Sequence, residues 1–173
     1  EPRDTLGFVV ELPPGSAVVH FDTEQSPYDH HKSVMRTLKR SGRTTPGSTF
    51  SSYCLTGFPP GGMLQAINLA LNSALSEFGS IGMIVIDGVA DLCVDPNHAT
   101  ATFGLVLTLQ RLAMEHNCVI LTVLHENPGT NQSSKMRGHL GSQLERKAES
   151  VLRLDRDPSS SITKICLECG RHS

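Results

Sequence analysis

The stretch Ile81-Gly82-Met83-Ile84-Val85-Ile86-Asp87-Gly88 most narrows what this chain can fold into. An apolar, β-branched run that stops at a carboxylate and a glycine reads as a buried parallel strand ending at an exposed sheet edge. In open α/β sheets, ligands bind outside the carboxyl ends of the strands, which sets Asp87 at the rim of a site. Asp-Gly is also ordinary turn chemistry, so a core strand followed by a plain turn is the competing reading.

The rest of the chain alternates strand and helix patterns around that stretch. Ala17 to Asp22 is a short strand, and Ser26-Pro27 opens a helix predicted to run to about Arg40. After a Ser/Thr/Gly/Pro linker, Ser51 to Thr56 is a second strand and Gly57 to Gly62 a loop. Leu64, Ile67, Leu71, Ala74 and Phe78 then recur at helical spacing up to Gly79. A long helix over Ala99 to His116 offers Phe103, Val106, Leu109, Leu112 and Ala113 for burial. Cys118 to Leu124 is another apolar strand, followed by a small polar loop over 126–136 and a helix around His139 to Ala148. Strands at Val151 to Leu154 and Ile162 to Glu168 close the chain. This alternation predicts a single α/β domain over residues 1–173, three-layered, with a mainly parallel sheet.

Composition narrows the partners. A formal net charge of -2 gives no bulk basic field, so any contact with nucleic acid must come from a local patch. No apolar run approaches the length of a membrane span. Five cysteines without framework spacing point to a reducing cytoplasm. Cys54, Cys93 and Cys118 read as small buried apolar residues. Cys166, Cys169 and His172 hint at zinc, but residues three apart on a strand face opposite ways. His30-His31 reads as solvated. Lys32, Arg36, Lys39, Arg40 and Arg43 form a basic stripe that reads as a solvated face ahead of a nucleic-acid patch.

Three strand ends carry polar residues together: Asp22-Thr23-Glu24-Gln25, Asp87-Gly88 and His125-Glu126-Asn127. In a parallel sheet all three converge on one edge, an arrangement suited to metal-assisted hydrolysis. Taken singly, each is more simply a solvated strand terminus; taken together they make a candidate site.

These segments, with Ile84-Val85-Ile86-Asp87-Gly88-Val89-Ala90-Asp91-Leu92, Arg137-Gly138-His139-Leu140-Gly141-Ser142 and Gly170-Arg171-His172, resemble successive strand ends of RecA-fold ATPases. The likeness is closest to the RepA-type and DnaB-type hexameric replication helicases of plasmids and mobile elements. It implies that Glu24 activates the attacking water and that Asp87 is the Walker B aspartate, holding Mg²⁺ through water. It implies that His125 senses the γ-phosphate of ATP, and that the loop after it faces DNA through Lys135 and Arg137. Arg171 matches an arginine that reaches a neighbouring subunit's nucleotide, although Cys169 stands where relatives often carry lysine. The implied protein is a bacterial, cytoplasmic, ring-forming motor acting on DNA, single-stranded in the first instance, as a homo-oligomer of six. The alternative is a RecA-fold module that oligomerises or binds DNA without turnover.

One motif is missing. No Gly-x-x-x-x-Gly-Lys-Ser/Thr occurs anywhere in the chain. The resemblance expects that phosphate-cradling loop, with its strand and helix, just before residue 1. The chain would then be a piece of a longer protein that is inactive alone, or else a naturally degenerate ATPase. The joint presence of Glu24, Asp87 and His125 favours the first.

Overall fold

The computed structural model describes residues 8–125, 138–157, 159–160 and 162–170. Its first strand is β1 (Ala17–Asp22). Four residues on, the Ser26 hydroxyl accepts the Asp29 N–H at 3.2 Å, and Pro27 fills the first helical position of α1 (Pro27–Arg40). β2 (Phe50–Cys54) is followed by α2 (Pro60–Phe78), which begins at Pro60 and not at Met63. A proline in a first turn needs no amide partner, so the expected loop is partly helix. Gly79, at φ +75, ends α2 in a left-handed turn and lets β3 (Ile81–Asp87) start two residues later.

Beyond β3 come a short 3-10 helix (Val89–Leu92), α3 (Ala99–His116), β4 (Val119–Val123) and α4 (Gly138–Lys147). The last elements are β5 (Ser150–Arg156) and β6 (Thr163–Gly170).

The main sheet is wholly parallel, in the order β2-β1-β3-β4. Its registers set Asp22 beside Asp87, with Cys54 and Val123 on either side. One face carries Ala17, Val19, Phe21, Ile84 and Ile86, buried against Met63, Ile67 and Leu71 of α2 and Leu105, Val106 and Leu109 of α3. On the opposite face α1 covers the β1–β2 half, where His30 stacks on His20 with ring centroids 6.0 Å apart. The fold is therefore a three-layer α/β architecture.

Two expectations need correcting, and the pairing of the last two strands is new. Phe103 is 47% exposed, and Thr102 and Leu105 take the buried α3 positions beside Val106. A sheet-facing helix stripe is about 100° wide, and Phe103 falls outside it. His30 is half-buried, since Ser52 lies 2.8 Å from its Nε2. The final two strands pair antiparallel with each other, as a ribbon separate from the parallel sheet. The turn between them is short enough for a hairpin, and a parallel pair would need a crossover of a dozen or more residues.

Ile84, fully buried on the central strand, is expected to cost about 3–4 kcal/mol on truncation to alanine. Phe103→Ala should cost less than about 1 kcal/mol. Urea unfolding of the two variants checks this ranking.

Candidate active site

The carboxyl edge of the sheet is held together by hydrogen bonds between the loops that follow β1, β2 and β3. Buried Asp22 accepts the Glu24 N–H at 3.1 Å and the Gln25 N–H at 2.9 Å, folding the chain back just past β1. Asp22 is thereby committed to two backbone amides, and its carboxylate shapes the loop. Thr23, also buried, is the link to β3. Its N–H donates to the Asp87 carbonyl at 2.7 Å, its hydroxyl reaches the Gly88 carbonyl at 2.7 Å, and that hydroxyl accepts the Gly88 N–H at 3.1 Å. The β2 loop joins through the Leu55 N–H, donated to the Asp22 carbonyl at 2.7 Å, and through Thr56 Oγ1, donated to the Gln25 carbonyl at 2.5 Å.

This stitching brings Glu24, Asp87 and His125 to one sheet edge. His125 Nε2 donates to Glu24 Oε2 at 2.9 Å across the mouths of β1 and β4. The pair is open to solvent, with the His125 side chain 67% exposed. Asp87 stands between them at the end of β3, half-buried. Among the described residues, no hydrogen-bond donor reaches its carboxylate. Burial raises the Asp87 pKa, and the neighbouring carboxylates of Asp22 and Glu24 raise it further. A site in this condition is short of positive charge.

A divalent cation is what such a site can accept. Among the described residues, no group of three His, Cys, Asp or Glu side chains is arranged as a metal cage. Mg²⁺ is commonly held by one or two carboxylates together with waters and substrate phosphates, so it needs no such cage. Of Asp22, Glu24 and Asp87, only Asp87 has a carboxylate without a hydrogen-bond donor among the described residues.

Gly88 is a determinant whose role the sequence left open between a strand-end site and plain turn chemistry. A Cβ there would overlap the Glu24 carboxylate, so a side chain at Gly88 excludes Glu24 from its position beside His125. The contact joins residues far apart in the chain and leaves no local signature. Asp22 and Thr23 were also missed as organisers, although an Asp at a strand end ahead of a turn is a legible signal. Lys135, Arg137 and the loop that carries them lie outside the described residues, as do Arg171 and His172.

Comparison with protein-family models finds no match for this chain, and no curated protein matches it.

Asp87→Asn is expected to raise the thermal midpoint at pH 7 by about 2 °C, a modest gain because solvent still screens the site. The sign follows from linkage: an acid whose folded pKa is raised weakens the fold as pH rises through that pKa, and has no effect below the unfolded value of 3.8. The gain should therefore vanish at pH 3, which calorimetry at both pH values measures.

Gly88→Ala should shift the midpoint by no more than about 4 °C, since its φ of -111 suits any L-residue. A crystal structure of that variant should find the Glu24–His125 hydrogen bond broken.

Proposed function

We propose that these residues form part of the hydrolytic site of an ATP-dependent, ring-forming motor that acts on DNA. The observation that supports this best is the convergence of Glu24, Asp87 and His125 on one edge of a parallel sheet, with Glu24 and His125 2.9 Å apart. Nucleoside triphosphate hydrolysis needs a base beside the attacking water, a carboxylate for the metal and a polar group near the terminal phosphate. Each strand end supplies one of them.

Glu24 is the base. One of its oxygens is held by His125, which fixes the carboxylate's direction, and the loop below it is locked by Asp22 and Thr23. His125 takes the position of a sensor: an anion at this edge competes with Glu24 for its N–H, and the backbone leads from it directly into the loop of Lys135 and Arg137. Asp87, without a donor, would hold Mg²⁺ through water, and the ion when bound would neutralise charge on the phosphates.

This reading also requires a phosphate-cradling loop, which the sequence lacks. Room for its strand and helix exists in the fold. The outer edge of β4 is unpaired among the described residues, and Val119 and Leu121 beside it are 56% and 46% exposed. Both lie on the sheet face that α1 leaves uncovered. In the resemblance, Lys135 and Arg137 then meet single-stranded DNA in the channel of a hexamer, and Arg171 reaches the adjoining subunit.

The test is phosphate release from ATP by a protein that carries these residues together with a Gly-x-x-x-x-Gly-Lys-Ser/Thr loop. Glu24→Gln should lower the rate about 100-fold or more while nucleotide binding is retained, because a general base contributes about 10²–10⁴. A rate indifferent to Glu24→Gln would reject the catalytic assignment and leave the non-hydrolysing RecA-fold module as the reading. Tight ATP binding by residues 1–173 alone would mean that the phosphate site lies elsewhere.

A further inference from the structure

The cations of α1 have a setting that their sequence pattern alone does not reveal. From residue 30 to residue 76 the chain contains Lys32, Arg36, Lys39, Arg40 and Arg43 and no Asp or Glu at all. A chain whose formal charge is -2 thus concentrates positive charge in one segment. Four of these five cations stay open after folding. Lys32, Arg36, Lys39 and Arg43 are all exposed, and among the described residues none of the four has an ion-pair partner. Asp29, the nearest acid along the chain, is turned back to the helix cap, where its carboxylate accepts the Ser26 hydroxyl at 2.8 Å.

The four cations also share a surface. Together with Met35 and Thr44 they line a shallow groove of about 540 Å³ along α1 and past its C-terminus. Lys32, Arg36 and Lys39 recur at helical spacings of four and three, so their row covers about 10 Å at 1.5 Å rise per residue. A row of that length can meet neighbouring phosphates along one extended strand. Arg43 extends the row beyond the helix. At its other end Tyr28 is 73% exposed, with the Lys32 ammonium 5.9 Å from its ring. An exposed aromatic next to a cationic track is a platform on which a base can stack.

We infer that this face of α1 is a binding surface for the backbone of single-stranded nucleic acid, with Lys32, Arg36, Lys39 and Arg43 contacting successive phosphates and Tyr28 stacking a base. Charge complementarity selects this occupant. A membrane-surface helix would need a bulky apolar face to insert, whereas α1 directs Leu38 into the fold and sets only Met35 among the cations. The surface reads no sequence, since phosphate contacts position a strand without distinguishing bases. It does not rest on the hydrolytic reading. A chain that never turned over ATP would bind through it equally.

The test uses residues 1–173 and a fluorescein-labelled 20-nucleotide oligothymidylate, with anisotropy read over a KCl series from about 50 to 300 mM. The unaltered chain should bind with a Kd between about 10⁻⁶ and 10⁻⁴ M, and log K should fall with log salt at a slope near -3 for four phosphate contacts. Arg36→Ala/Lys39→Ala/Arg43→Ala should weaken binding about a hundredfold at 0.1 M salt and flatten the slope by about 2. Tyr28→Ala should weaken binding about tenfold and leave the slope unchanged. Lys147→Ala/Lys164→Ala, which removes two exposed cations elsewhere, should change neither, and circular dichroism checks that every variant is folded.

Equal affinity and slope in the triple variant would overturn the assignment, as would no oligonucleotide binding by the unaltered chain at the lowest salt. Vesicles of phosphatidylglycerol and phosphatidylcholine form the second arm. Vesicle binding that disappears in the triple variant, with oligonucleotide binding absent or unmoved, would overturn it in favour of a membrane.

Discussion

Two carboxylates are forced together by strand register, and the carboxyl edge of the sheet is arranged around that fact. Asp22 and Asp87 are direct partners at the ends of β1 and β3, and Glu24 folds back over them. Like charges at this separation cannot all be left ionised and without partners in a half-buried place. The fold handles them differently. Asp22 is satisfied by two backbone N–H groups, and Glu24 by the His125 imidazole. Asp87 is left with no donor and a raised pKa. Two of the carboxylates are thus positioned by the protein, and the third differs from them in having its charge destabilised. Perturbed acids of this kind collect at functional sites because a satisfied structural carboxylate has no reason to be strained.

The sheet that sets this register is unevenly covered. Below it, α2 and α3 bury Phe21, Ile84 and Ile86 completely, which makes β1 and β3 rigid supports for the loops above. Above it, α1 reaches only the β1–β2 half, through a polar contact. The Ser52 hydroxyl lies 2.8 Å from both His20 Nδ1 and His30 Nε2. A hydroxyl has one proton, so at least one of the two imidazoles donates to it. Burial lowers the His20 pKa, against the pull of Asp22 and Asp87. Toward β4 nothing among the described residues plays the part of α1, and apolar side chains that alternate toward that face meet solvent. A parallel sheet is ordinarily covered on both faces, and here one face is covered over β1 and β2 only, among the described residues.

Much of this was legible in the chain. The strand ending at Asp87 and the helix Ala99–His116 were readable to the residue, because continuous β-branched runs and capped helical periodicity are the strongest local signals. Ser26-Pro27 announced the start of α1 for the same reason. What the sequence could not convey is anything decided across the fold. His30 sits in a polar stretch and reads as solvated, and only its approach to Ser52 in β2 makes it half-buried. The clearance between Gly88 and Glu24 exists only once β1 and β3 are paired. The pairing of β5 with β6 was not specified by the alternation, which does not say which sheet a terminal strand joins.

Helix α1 ties the two ends of the argument together. Its cap, Ser26, is two residues beyond Glu24, and Ser33 on its second turn donates to the Gln25 side-chain oxygen at 3.1 Å. The loop that carries Glu24 is therefore anchored on one side by buried Asp22 and Thr23, and on the other by the helix that bears the cationic row. Such a helix cannot shift along its axis without drawing on the Gln25 contact and on the His30–Ser52–His20 chain.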